Sequence, residues 1–220
     1  MQVVSVNPRD PKPARIEAAV AVLRAGGVVA LPTETFYGLS VDSSQGGAVA
    51  QLNRLKSKAS DSPVLLLASD MAQVERVSNV SVPSFALLAR AFWPGPLTLV
   101  LPAARGLCWQ VTAGGETVAV RIPGIALPRM LAAALGNPIT GVSANLHERA
   151  APRSAREVAE SFPEGLDLLL DGGLTPGGGP STLVDLSATK PRILRPGIVP
   201  GAALRNLVPD LEAAPTRSAL

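Results

Sequence analysis

The stretch Val28–Leu39, VVALPTETFYGL, decides how this chain is read. Its first four residues, Val28 to Leu31, are an apolar run of strand length between Gly26-Gly27 and Pro32, and they read as a buried β-strand. Pro32 has no N–H to donate to a sheet and marks the turn. Thr33, Glu34, Thr35 and the chain's single tyrosine, Tyr37, then crowd around that turn. Alone, the cluster fits a capped turn. It also fits a ligand site, because open α/β sheets bind ligands beyond strand ends, where loops converge.

Strand and helix signals alternate outward from this point. Ala14–Ala25 has helical spacing and closes at Gly26-Gly27. Gly46–Lys56 places Ala48, Leu52 and Leu55 on one helical face, and Ser84–Phe92 is a helix stopped by Trp93-Pro94-Gly95-Pro96. Leu127–Leu135 closes at Gly136-Asn137, and Ser154–Phe162 opens with Ser154 and Glu157 in capping-box spacing. Val64–Ala68, Leu97–Leu101, Val118–Ile122, Leu166–Leu170, Thr182–Leu186 and Arg192–Leu194 read as strands, and Pro138–Val142 leads into Ser143-Ala144-Asn145. The alternation predicts an α/β fold in which a sheet carries helices packed on it. There is no internal repeat and no linker. The expected organisation is an N-terminal segment (1–15), one domain (16–205) and a C-terminal tail (206–220).

Composition narrows the function. Of 220 residues, 47% are hydrophobic and 17% charged, which supports a core and excludes a disordered chain. Aromatics make up 3%, too few for a platform that stacks single-stranded bases. The formal charge of +3 is spread without a Lys/Arg block; it suits an anionic ligand such as a nucleotide and allows nucleic acid. One cysteine (Cys108) and one histidine (His147) exclude an internal disulfide and a zinc cluster, so no metal site is expected. The N-terminus lacks a signal peptide, and no apolar run reaches the ~18 residues of a membrane helix, so a cytoplasmic protein without membrane contact is expected.

No familiar catalytic device stands out. The loop Gly172–Thr182 is neither a Walker A loop nor a dinucleotide fingerprint, since no Lys follows its last glycine and it feeds a strand. His147 belongs to no readable triad. What remains is a set of polar clusters: Thr33-Glu34-Thr35-Tyr37, Lys56-Ser57-Lys58, Thr117 with Arg121, Ser143-Ala144-Asn145, Ser181-Thr182 and Arg195. Each alone fits a cap or a solvated face. Together they supply cations and hydroxyls but no base, which suits binding of a polyanion and displacement at phosphorus.

The segments PTETFYGL, LKSKASDSPVLLL, FWPGPLTLVL, VAVRIP, SAN, PSTLVD and ILRPG occur in the order seen in the YrdC-like threonylcarbamoyl-AMP synthase family, which the chain resembles over about Ile16 to Ala203. The resemblance implies a single YrdC-like α/β domain: a twisted mixed or antiparallel sheet, flanking helices and a concave, positively charged groove. It implies condensation of L-threonine, bicarbonate or CO2 and ATP, taken with Mg²⁺, into threonylcarbamoyl-AMP and pyrophosphate. A downstream tRNA threonylcarbamoyltransferase complex would consume that product. The chain looks like the short bacterial form.

Residue by residue, the resemblance places Thr35 on threonine with Thr33 close by, Arg121 on threonine and Ser181 near it. It places Lys56 and Lys58 against the triphosphate, Thr117 and Arg195 near the nucleotide, and Ser143 and Asn145 beside the phosphates and the reacting carbamate. Lys56, Lys58, Ser143 and Asn145 would form the catalytic set. The sequence departs from the family pattern in three places. Lys58 stands where the family has Arg, keeping charge but losing the bidentate fork. Leu67 lies near where some members carry a histidine. LHERAAPRSA, from Leu146, follows SAN where Ser, Gly and Pro are usual. Two other readings stay open: an RNA-binding module contacting tRNA or double-stranded RNA without synthase activity, and carbamoyl-adenylate chemistry on another acceptor.

Overall fold

The computed structural model describes residues 1–56, 63–146 and 149–213. Within them the chain runs β1 (Gln2–Ser5), α1 (Pro13–Arg24), β2 (Val29–Pro32), β3 (Tyr37–Ser40), α2 (Gly46–Leu55), β4 (Leu65–Leu67), α3 (Met71–Val77) and α4 (Phe85–Phe92). It continues with β5 (Leu97–Pro102), α5 (Trp109–Thr112), β6 (Thr117–Arg121), α6 (Ala126–Leu135), β7 (Ile139–Thr140) and β8 (Val142–Ser143). It ends with α7 (Ala155–Ser161), β9 (Leu168–Asp171), β10 (Thr182–Asp185), β11 (Arg192–Arg195) and α8 (Gly201–Arg205).

The strands pair in a mixed fashion but form two sheets where the sequence reading expected one. Among the described residues one sheet has the order β1-β9-β2-β3-β8 and the other β11-β10-β5-β6-β4-β7. The reason is visible in β2, which is buried along its whole length. Val28 and Ala30 face one core, which also holds Tyr37, Leu39, Leu66, Leu97, Leu99, Val120 and Val184. Val29 and Leu31 face a second core with Ile16, Val20 and Leu23 of α1 and Leu127, Leu131 and Leu135 of α6. A strand covered on both faces reads as a continuous apolar run, because successive side chains point to opposite sides. The first sheet therefore lies between an α1/α6 layer and the second sheet. Gly141, between β7 and β8, is where the chain passes from one sheet to the other; a Cβ there would lie 2.6 Å from Leu67 Cγ.

Local signals explain the ends of the elements. At the end of α1, Gly26 N–H donates to the Leu23 carbonyl and Gly27 N–H to Val22, with Gly26 at φ +81°. This is the 5→2 and 6→1 pairing that closes a helix through a left-handed glycine. The Ser154 side chain accepts from Glu157 N–H, as the capping box predicts. The reciprocal arm differs: Glu157 Oε2 accepts from the N–H of Arg153, one residue before the cap.

Several elements escaped the sequence reading. β1 pairs in parallel with β9, so the first residues add an edge strand. Tyr37–Ser40, of which only Tyr37 was placed at the turn, is the antiparallel partner of β2. Asp70 caps the short helix α3 by accepting from Gln73 N–H. At the other end Val208 and Leu211 are buried in the main core. No described helix is long and apolar enough to cross a membrane.

Candidate functional site

A cavity of about 420 Å³ opens on one face of the second sheet. Period-two alternation builds it. Leu97, Leu99 and Leu101 of β5, Val118 and Val120 of β6, and Val184 of β10 point into the core. The alternate residues Thr98 and Val100, then Thr117, Ala119 and Arg121, then Ser181 and Leu183, line the cavity. The site therefore rests on a sheet face, not only on loops beyond strand ends. Its walls are the Thr33–Gly38 turn, Pro63–Leu65, Gly141–Ser143 and the β11 pair Leu194 and Arg195.

Among the residues singled out from sequence, this cavity gathers Thr33, Thr35, Thr117, Arg121, Ser143, Ser181 and Arg195. Lys56 and Asn145 stand beside it. The buried Lys56 ammonium donates to the carbonyl oxygens of Ser143 and Asn145 and lies 3.4 Å from Asn145 Oδ1. Asn145 Nδ2 donates in turn to the carbonyls of Leu146 and Arg149. Both side chains thus brace the turn that presents Ser143, which is itself exposed. Lys58 lies outside the described residues, as do His147 and Glu148. Leu67 is buried in the second core and does not line the cavity.

The two threonines of the turn divide the labour. Thr33 Oγ1 accepts from the N–H groups of Thr35 and Phe36 and donates to the Phe36 carbonyl. That hydroxyl is spent on the turn, a common use of threonine in such positions. Thr35 Oγ1 lies 2.9 Å from it, on the wall of the cavity. Tyr37 pins the glycine-rich loop from beneath, donating to Gly173 O at 2.8 Å and accepting from Gly172 N–H at 3.1 Å. Gly177 N–H then donates to Thr35 O, so the loop buttresses the threonine wall. Burial first, and then the neighbouring Asp171, push the Tyr37 hydroxyl up to about 12, against the Gly172 hydrogen bond, which lowers it.

The cations converge from two strands. Arg121 is fully buried; desolvation lowers its pKa, and the charge of Glu34, 3.8 Å away, opposes that. Arg195 donates to Ser181 O and Oγ at 3.0 and 3.2 Å. Its pKa is lowered first by burial and then by the positive charge of Arg121. Two guanidiniums that repel each other across one cavity favour an anion between them, and the planar fork suits a carboxylate or phosphate.

The sequence reading missed Thr98, whose hydroxyl lies 2.8 Å from Ser181 Oγ on the cavity floor. Its alternation with Leu97 and Leu99 was the available signal. Gly197 explains the last motif: a Cβ there would lie 2.3 Å from Pro180 O and 2.6 Å from Thr182 N, so the Arg195 segment reaches the Ser181 strand only because residue 197 has no side chain. Among the described residues no group of three His, Cys, Asp or Glu could hold a metal ion.

Residues 21–197 match the family profile of Sua5/YciO/YrdC proteins, described as telomere recombination. The chain belongs to the Sua5/YciO/YrdC family. It is 35% identical over 201 residues to the threonylcarbamoyl-AMP synthase of Pyrococcus abyssi, covering 91% of this chain and 59% of that protein. It is 37% identical over 193 residues to the Bacillus subtilis threonylcarbamoyl-AMP synthase, covering 87% and 55%. The crystal structure of P. abyssi Sua5 complexed with L-threonine superposes with a TM-score of 0.92 at 34% identity, covering 98% of this chain and 63% of that one. The chain thus spans a little over half the length of these Sua5/YciO/YrdC relatives.

Proposed function

We propose that this protein is an L-threonylcarbamoyladenylate synthase, a nucleotidyltransferase condensing L-threonine, bicarbonate or CO2 and ATP into threonylcarbamoyl-AMP and pyrophosphate. The observation that carries the reading is the convergence of Arg121, Arg195, Thr35, Ser143 and Ser181 on one small polar cavity. Arg121 takes the threonine carboxylate through its fork, while Thr35 and Ser181 set the substrate's orientation. Arg195, at the mouth, takes the nucleotide side together with Thr117.

The chemistry needs placement more than a base. The threonine amine bonds to the carbon of CO2 and loses a proton, giving a carbamate. A carbamate oxygen attacks the α-phosphorus, the bond from that phosphorus to the bridging oxygen breaks, and pyrophosphate leaves. Ser143, on its braced turn, donates to the α-phosphate; Lys56 and Asn145 hold that turn. Lys58 is assigned to the triphosphate from the resemblance. Mg²⁺ would enter with ATP as part of the substrate, its charge offset by the phosphates. The product passes to a transferase acting on tRNA.

The test is direct. Purified protein with L-threonine, bicarbonate, Mg-ATP and labelled pyrophosphate should show threonine-dependent exchange and an adduct of the mass of threonylcarbamoyl-AMP. Binding of tRNA without either signal overturns the reading in favour of an RNA module, and its steep salt dependence would mark it as phosphate-driven.

A further inference from the structure

Glu34 is the one acidic residue of the threonine turn, and it does not line the cavity. Both of its carboxylate oxygens are closed off from solvent and, among the described residues, accept no hydrogen bond. A carboxylate buried this way is costly unless a positive charge compensates it. The compensating charge is Arg121, whose Nη1 lies 3.8 Å from Glu34 Oε1. Arg121 is itself 3% exposed, and its Nε–H is also without an acceptor among the described residues. The pair is therefore an ion pair held by charge alone, with donors left over on the arginine.

We propose that Glu34 is a positioning residue that acts through Arg121. From behind the cavity wall it draws the guanidinium into a fixed orientation, offsets its repulsion with Arg195, and leaves its donors uncommitted for an incoming carboxylate. A tight bidentate pair would fix Arg121 equally well but would consume the fork. The separation of 3.8 Å orients the group without consuming it. The turn supplies the geometry: Thr33 folds the backbone, so Thr35 faces the cavity while Glu34 points behind it. The ligand half of this inference rests on the proposed threonine site; the Arg121 half does not.

The experiment has a ligand-free arm and a binding arm. In ¹⁵N spectra of the wild type, the Arg121 side-chain signals should show a guanidinium with slow rotation and slow proton exchange. In Glu34→Gln, which keeps shape and removes charge, both should become fast, with backbone spectra and Arg195 signals otherwise retained. Glu34→Asp, which keeps the charge, should fall between the two. In thermal melts the double variant E34Q/R121M should be more stable than E34Q alone, because no unpaired cation remains buried. Calorimetry with L-threonine should show affinity falling at least about tenfold in E34Q, the lower end of what a lost charged hydrogen bond costs. Threoninol, which lacks the carboxylate, should bind both proteins alike. Unchanged Arg121 signals in E34Q, additive melting shifts, or an equal loss for threoninol, which would place Glu34 on the substrate ammonium, each overturn the proposal. If the wild type binds no threonine, the threonine reading falls, and the Arg121 signals still decide the role of Glu34.

Discussion

The ammonium of Lys56 donates to the main-chain carbonyl of Ser143, 87 positions further along the chain. A lysine beside a phosphate site invites a purely electrostatic role. Here its geometry is that of a brace, because the carbonyl of Asn145 is a second acceptor. Lys56→Met should leave two part-buried carbonyls short of a donor and cost about 1 kcal/mol of stability, read as a lower midpoint in denaturant. If Ser143 places the α-phosphate, the turn's displacement should also cut threonine-dependent pyrophosphate exchange by about 10²-fold. Wild-type exchange in that variant would remove Lys56 and its turn from the catalytic machinery.

Arg121 offers the cleanest substitution in the cavity. Arg121→Lys keeps one charge and loses the two-pronged contact. Threonine affinity should fall by about 1.5–3 kcal/mol, the worth of a hydrogen bond to a charged group. The loss should appear in the threonine KM far more than in the ATP KM. Equal changes in both would place Arg121 on the nucleotide instead.

Tyr37 makes a pH prediction that can be read optically, since it is the chain's single tyrosine. Its hydroxyl is raised from 10.0 to about 12 by burial first and then by Asp171. The folded state therefore holds this proton more tightly than the unfolded state. The stability it contributes is intact below pH 10 and is lost as pH rises from there through about 12. Tyrosinate absorbance should rise near pH 12 in native protein and near pH 10 in urea. Tyr37→Phe should abolish the signal and, by freeing Gly172 N–H and Gly173 O, make the glycine-rich loop more susceptible to protease. A native midpoint at 10 would mean the hydroxyl is solvated.

Thr98 tests the cavity floor. Its hydroxyl meets Ser181 Oγ, which also accepts from Arg195. Thr98→Val preserves shape and breaks one link in that chain. Stability should change by about 1 kcal/mol, the usual net worth of one hydrogen bond. Threonine affinity should drop by a few-fold as Ser181 reorients. An unchanged affinity would show that Ser181 is held by Arg195 alone.

How much of this was legible beforehand depends on range. Strands such as Leu97–Pro102 and helices such as Ala126–Leu135 follow from periodicity and caps, which are local. The gathering of Thr35, Arg121, Ser143, Ser181 and Arg195 entered through motif resemblance; spacing alone could not place residues from both sheets around one cavity. The division into two sheets was hidden because β2 and β9 are apolar on both faces and show no alternation to reveal which side meets what. Lys56 was assigned to the triphosphate by its motif, and a sequence does not show the carbonyls of Ser143 and Asn145 that its ammonium meets. Thr98 was passed over because a threonine inside an apolar strand is ordinary for β-structure.

At Gly197 backbone meets backbone. A methyl group added there would lie 2.3 Å from Pro180 O and 2.6 Å from both Ser181 C and Thr182 N, none of which can rotate away. Gly197→Ala should force the segment carrying Arg195 off the β10 strand. Overpacking of this kind costs about 1–3 kcal/mol, and more where main chain must move. The same shift should withdraw the Arg195 donors from Ser181, so ATP affinity should fall together with the melting temperature. A neighbouring control, Gly178→Ala, meets nothing within 4 Å but sits at φ +83°, so it should lose stability through backbone strain while leaving ATP affinity untouched. Equal losses of ATP affinity in the two variants would show that the effect is general loosening of the loop and not the contact between Gly197 and the Ser181 strand.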